Sequence, residues 1–265
     1  MHALPGGEEL PRLDELCSFA PRSPTAARKP SEIDGVVYKI ADCREEREDG
    51  FRLIHDAYSR NGLMKPNDSG MRITPYHLLP TSDLFVAYHQ GVVIYTMTLI
   101  SDDEKGIPLE SVFKREVMER REASGAYLAE VSCLASRSGY FPRGEMYHVF
   151  VRLAGLMVQS ARENGVERLL IACHPRHARF YEGWLGFTRI SEPRHYAAVQ
   201  DQPAVALEHD FARCDAARYR LYDRIYRHSF RHWELYHQPM LKEEREHFLE
   251  ITEFYETHFP LEGVA

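Results

Sequence analysis

The chain has 265 residues, a formal net charge of −7, 44% apolar residues and 28% charged residues. Those values describe a soluble globular chain long enough to build a full core without a metal or a disulfide frame. No stretch approaches the ~18 apolar residues of a membrane helix, and the acidic balance argues against nucleic acid as the main partner.

Residues 1–35 carry Pro5, Pro11, Pro21, Pro24 and Pro30 without a lasting apolar period, so a mobile arm is expected there. Glu8 and Glu9 stand where a signal peptide would place its charged and apolar regions. The cysteines at 17, 43, 133, 173 and 214 are odd in number and form no Cys-x-x-Cys pair, so reduced thiols in a cytoplasmic protein are expected.

Val36–Ile40 reads as the first strand. Residues 44–60 follow as an amphipathic helix, with Phe51, Ile54, Ala57 and Tyr58 on one face and Gly62 just beyond its end. The turn-rich stretch Asn61–Asp83 is too long for an idle connection and is expected to cover a site. Leu84–His89 and Val92–Ile100 make a hairpin around Gln90-Gly91, and residues 108–122 a charged helix. Tyr127–Ala135 is a strand, residues 144–163 an apolar helix stopped by Asn164-Gly165, and Arg168–Cys173 a buried strand. Pro175 opens a short helix that Gly186 ends, and Ala204–Leu207 is the last strand. The order predicts a mixed α/β fold with helices on a central sheet.

Beyond Phe211, residues 212–265 hold ten of the thirty aromatics. Tyr219, Tyr222, Tyr226, Phe230, Trp233 and Tyr236 step by three or four, which predicts one helical stripe packed on the main domain (36–211). His228 and His232 are also four apart, but no carboxylate continues their face, and no metal is expected.

Glu130 interrupts an otherwise apolar strand. A buried carboxylate must pair, stay protonated or face a cleft. The strand position leaves a general base of raised pKa and a structural ion pair equally open. Strand alternation puts Leu128, Glu130, Ser132 and Leu134 on one face and Cys133 on the other. Ser132 lacks the Gly-x-Ser-x-Gly setting of a hydrolase nucleophile. At the strand-to-helix corner 173–181, free backbone N–H groups favour an anion, and Tyr181 lies one turn past His177. Residues 137–179 carry seven Arg, no Lys and a local charge of +4 in this acidic chain. Arginine's fork suits phosphate and carboxylate groups.

The segment Arg179-Phe-Tyr-Glu-Gly-Trp-Leu-Gly-Phe187 resembles the closing motif of the GCN5-related N-acetyltransferase (GNAT) fold, and Ala129–Ala135 resembles its central strand. Gly70-Met-Arg-x-Thr-x-Tyr76, Phe85-Val-Ala87, the Gly106-Ile-Pro108 turn, Ala129-Glu-Val-Ser132 and His174-Pro-Arg-His-Ala-x-Phe-Tyr181 resemble the FeeM-like N-acyl amino acid synthases, relatives of the acyl-homoserine lactone synthases. The resemblance implies a GNAT-like mixed central sheet flanked by helices, here with a C-terminal helical extension. It implies transfer of a long fatty acyl group from acyl carrier protein to the α-amine of an amino acid. Glu130 would take the amine proton, backbone amides beside the broken central strand would hold the thioester oxygen, and Tyr181 would protonate the leaving thiolate. Arg72 would hold the acceptor carboxylate, with Tyr58, Tyr76, Ser132, Leu134 and Phe180 lining the substrate sites. Arg137, Arg143 and Arg176 would meet the carrier protein and its phosphopantetheine.

In ordinary acetyltransferases small residues at a helix start cradle the diphosphate of coenzyme A. This chain has Arg143-Gly144-Glu145, which lacks the second glycine and adds a negative charge. A phosphopantetheine donor avoids that charge, so no tightly bound cofactor is expected. Two alternatives stay open at this point: an acyl-CoA-dependent N-acyltransferase, and a non-catalytic module that binds acyl carrier protein or lipid.

Overall fold

A computed structural model describes residues 29–252. Most of the 1–35 arm and the last residues of the aromatic segment lie outside that range. The strands are β1 (Ser31–Ile33), β2 (Val36–Ile40), β3 (Ser82–His89), β4 (Val92–Ser101), β5 (Leu128–Ser136), β6 (Arg168–Cys173), β7 (Thr188–Arg189), β8 (Arg194–Tyr196) and β9 (Gln202–Asp210). The helices are α1 (Arg44–Arg60), α2 (Glu110–Ser124), α3 (Arg143–Glu163), α4 (Pro175–Leu185), α5 (Phe211–Ala216), α6 (Tyr222–Ile225), α7 (His232–Leu235) and α8 (Lys242–Leu249). Strand order in the sheet is β1-β2-β3-β4-β5-β6-β9-β7, and β8 pairs with β9. No helix among the described residues is long and apolar enough to cross a membrane.

Alternation along the strands sorts the core onto two faces. Leu84 and Val86 of β3 pack against α1, whereas Phe85 and Ala87 pack against α3. On β9, Ala204 and Ala206 join the α2 cluster, and Val205 and Leu207 pack with Ala178 of α4. Helices α1 and α2 therefore cover one face, and α3 and α4 the other.

Two irregularities in β5 shape everything that follows. Its parallel pairing with β6 registers only Leu128–Glu130 against Arg168–Leu170, so the two strands part beyond Glu130. Its antiparallel register with β4 shifts between Thr96 and Thr98, opposite Cys133, which has a left-handed φ of 50°. This is a β-bulge, an extra residue that turns the following side chains to the other face. It corrects the expected alternation. Cys133 lies with Phe51 and Ala57 on the α1 face, the side Glu130 shares, and Leu134 packs on the α3 side. A strictly periodic strand reading has no means of locating that extra residue.

The aromatic stripe after Phe211 is not one helix. The segment is broken into α5, α6, α7 and α8, with the Tyr219 step falling between helices. Six aromatics at helical spacing were the signal, but packing against an irregular surface overrode local periodicity. The chain runs over α3 first. Gln159 donates to the carbonyls of Ile225 and His228 at 3.3 and 2.8 Å, and Ser160 donates to Leu235 O at 2.8 Å. It then crosses to the opposite face, where Arg47 pairs with Glu244 at 2.6 Å and Phe248 meets Phe51 edge-on with ring centroids 5.3 Å apart. Short strands β1, β7 and β8 were also not predicted. At two or three residues they are too short to display a period.

Candidate active site

Where β5 and β6 part, a cavity of about 630 Å³ passes through the sheet. Small-molecule sites typically occupy ≈ 300–1,000 Å³. On the α1 side its wall includes Tyr58, Arg72, Tyr196 and Ala198; at the split, Glu130 to Leu134; on the α3 side, Phe150, Met157, Val158 and Leu185.

Glu130 is 2% exposed. Its Oε2 accepts the Leu109 backbone N–H at 2.6 Å, at the start of α2. The Gly106-Ile107-Pro108 turn that presents this N–H is itself fastened. Ile107 N–H donates to Glu110 Oε1 at 3.1 Å, and Arg121 bridges Glu110 and Asp102. Among the described residues the polar partner of Glu130 is thus a backbone amide and not a guanidinium, which disfavours the ion-pair alternative. Burial pushes the Glu130 carboxyl up to about 8, with Cys133 and Glu110 adding to the rise and the Leu109 N–H opposing it. A carboxyl titrating there suits proton transfer near neutral pH.

Arg72 is buried in the long 61–81 loop. It donates from Nη2 to Ala198 O at 2.8 Å and lies over the Tyr58 ring at 4.8 Å. Behind it, His77 Nδ1 accepts the Thr74 N–H at 2.9 Å, and Nε2 lies 3.3 Å from Thr98 Oγ1. Burial, with the Arg72 charge adding to it, holds His77 down to about 3, so this imidazole is neutral. The predicted covering loop does border the cavity, and buried polar contacts fix it.

Tyr181, on α4, also lines the cavity. Its ring meets Phe180 and Phe187 with centroids 5.6 Å from each, and burial raises its phenol above the usual range. Phe180 stacks between Phe150 and Trp184 and is absent from the cavity wall, whereas Ser132 and Leu134 are on it. Tyr76 is also off the wall; it packs with Ile107 and Leu109 in the core beneath Glu130.

The arginines of 137–179 divide in two. Arg137 donates to Val93 O at 3.0 Å and ties β5 to β4, away from the cavity. Arg152 pairs with Asp34, Arg162 with Asp215 and Arg168 with Glu208. These four are fold contacts, which a charge count does not distinguish from surface charge. Arg143, Arg176 and Arg179 are exposed. Arg176, His174 and His177 stand at a rim of the cavity, where the His174 side chain caps α4 through Arg176 N–H at 3.2 Å.

Sequence reasoning missed Tyr196 and put Cys133 on the wrong face. Tyr196 sits on the unpredicted β8, lines the cavity, and has its phenol raised by burial and by Glu130. No sequence signal pointed to it. The positive φ of Cys133 belongs to a residue type not enriched in that region, so it was equally silent.

The fold agrees with the comparisons. The profile of the N-acyl amino acid synthase FeeM family matches residues 49–210. The chain belongs to that family, and it is an acyltransferase. The structure of FeeM, an N-acyl amino acid synthase from uncultured soil microbes, is 25% identical, with a TM-score of 0.57 over 67% of this chain and 91% of that one. The CoA-dependent acyl-homoserine lactone synthase BjaI, at 16% identity, superposes with a TM-score of 0.51 over 71% of this chain and 89% of that one, and shares the fold. No curated protein sequence matches the chain significantly.

Proposed function

We propose that the protein transfers a long-chain fatty acyl group from acyl carrier protein to the α-amine of an amino acid, in the cytoplasm. The observation that carries this reading is one cavity that runs through the split sheet. It has a buried cation at one end, a carboxyl of raised pKa in the middle and an apolar channel at the other end. An amino acid suits the first end, where the Arg72 guanidinium would take its carboxylate. An acyl chain suits the last.

The acyl thioester would enter past His174, Arg176 and His177. Its carbonyl would lie at the bulge, where β5 has left β6 and backbone N–H groups are available to the developing oxyanion. The amine nitrogen attacks the carbonyl carbon, forming N–C and breaking C–S. Glu130 takes the amine proton through a water, and Tyr181 gives its proton to the departing thiolate. Burial raises the phenol's pKa, so its O–H is intact at neutral pH and available to the sulfur as it departs. The start of α3 favours a donor without a diphosphate. Glu145 is exposed in its first turn, where it would face one.

The test is purified protein with long-chain acyl carrier protein and each amino acid in turn, products read by mass spectrometry. Formation of an N-acyl amino acid supports the reading, and no product with any acceptor overturns it. A kcat/KM with acyl-CoA equal to that with acyl carrier protein would replace the donor, as in BjaI.

A further inference from the structure

The family match ends at residue 210, yet the cavity does not. Its lining includes Tyr219 and Ile225, which belong to the segment after β9. Both are seated by close approaches that bar a larger neighbour. A side chain at Gly155 on α3 would meet Ile225 O at 2.7 Å, and one at Gly186 would meet the Tyr219 ring at 2.8 Å. Gly186 also needs its left-handed φ of 72° to end α4. His209 stands beside them. Its Nδ1 lies 2.8 Å from Leu185 O, and its ring is 5.3 Å from that of Tyr219. Burial, the leading cause, lowers His209 to about 4, so this end of the cavity is uncharged at neutral pH.

We infer that the segment after β9 is the length gauge of the acyl pocket, with Tyr219 and Ile225 forming its end wall and deciding how long a chain fits. The inference rests on the acyl-transfer reading for the identity of the ligand. The wall itself rests only on the geometry. An apolar tunnel closed by a fixed wall rewards each added methylene until the chain reaches the wall. One buried methylene is worth ≈ 0.8 kcal/mol, or about fourfold in affinity. Past the wall an extra methylene must displace packed side chains and the gain is lost.

The experiment is calorimetric binding of free fatty acids of graded length to the full chain, which needs no turnover. For the wild type the affinity should rise about fourfold per carbon to a limit and then stop rising. Tyr219→Ala should move that limit to longer chains by roughly two carbons or more, the room vacated by part of a ring. Tyr219→Trp should move it to shorter ones, and Ile225→Val slightly to longer ones. The opposite signs at one position keep the test alive if Tyr219→Ala melts below the assay temperature. A limit shared by the wild type and every folded variant overturns the gauge, as does a wild type with no limit. If fatty acids bind with the expected limits but no acyl group is ever transferred, the gauge stands and the acyltransfer reading fails.

Discussion

The two ends of the cavity are built by different means. The α1-side end is made mostly of loops. Residues 61–81 and the turn after β8 meet over it, joined by Arg72 to Ala198 O at 2.8 Å and backed by the Thr74–His77–Thr98 contacts. The α3-side end is made mostly of regular elements, α3, β6 and α4, which contribute Met157, Val158, Leu169 and Leu185, with Tyr219 and Ile225 added from the segment after β9. A site that holds its ligand by buried hydrogen bonds discriminates sharply, because a wrong ligand leaves those groups unpaired. A hydrophobic channel discriminates only by ~1–3 kcal/mol per methylene. The acceptor end should therefore be all-or-none and the acyl end graded, with Glu130 at the junction belonging to both.

The junction should give the largest effect. Glu130→Gln keeps the side chain's shape and removes its ability to take a proton. We expect kcat/KM to fall ~10²–10⁴-fold with every donor and acceptor. A folded variant with near-wild-type turnover would remove Glu130 from the reaction.

The acceptor end comes next. Hydrogen bonds to a charged group are worth ≈ 1.5–3 kcal/mol, so Arg72→Lys, which breaks the planar fork, should raise the acceptor KM by ~10–100-fold. An amine of the same shape lacking the carboxylate should react equally with both proteins. If the variant loses the same factor with that amine, Arg72 only supports the loop through Ala198.

The pH dependence sharpens the role of the junction, because two consequences of one buried carboxyl run in opposite directions. Folding raises Glu130 from 4.5 to about 8. Between those values the folded protein keeps a proton that the unfolded chain has lost, so the contribution of Glu130 to stability is complete below about 4.5 and is lost as pH rises through about 8. A general base is active only when deprotonated. The kcat/KM should accordingly climb about tenfold per unit to an inflection near 8, while the melting temperature relative to that of Glu130→Gln declines across the same window. Comparing the two proteins cancels other titrating groups, and measuring stability excludes the acceptor's own amine. A melting-temperature difference that stays constant from pH 5 to 8 would show that burial does not hold the proton.

Much of this arrangement was legible in the sequence where a regular element carries it. Glu130 announced itself as a lone carboxyl in an apolar strand, and α3, α4 and β6 followed from period and caps. The failures share a physical cause. The bulge at Cys133 is a single inserted residue that reverses the faces after it, so Leu134 was assigned to the wrong side. Tyr196 is held by β8, three residues whose position depends on pairing with β9 and not on any period of their own. Tyr76 has the motif but not the exposure, because the short helical turn at Pro75–Leu78 buries it under Glu130. The Arg-rich count overstates the free surface charge, since Arg152, Arg162 and Arg168 reach acidic partners far away in sequence.

Two of the three exposed arginines of 137–179, Arg143 and Arg176, should give the smallest effect, and it should concern neither end of the cavity but the approach to it. Arg143 begins α3 and Arg176 stands at the rim beside His177, both on the surface of an otherwise acidic protein. A carrier protein is acidic, so these charges would act on the encounter and not on the bound state. Reversing both to Glu should lower kcat/KM for acyl carrier protein by roughly three- to tenfold at low salt, with a smaller change for a short acyl-pantetheine thioester that has no acidic surface to steer. Surface charges separated by more than ~10 Å are screened at 0.1 M salt, so raising the salt should slow the wild type and bring the two proteins together. A wild-type rate with carrier protein that stays flat from low to physiological salt would show that no charge steers the donor. An equal loss with both donors would mean that Arg176 acts on the pantetheine arm inside the rim, which would extend the hydrogen-bonding character of the acceptor end to the donor's entrance.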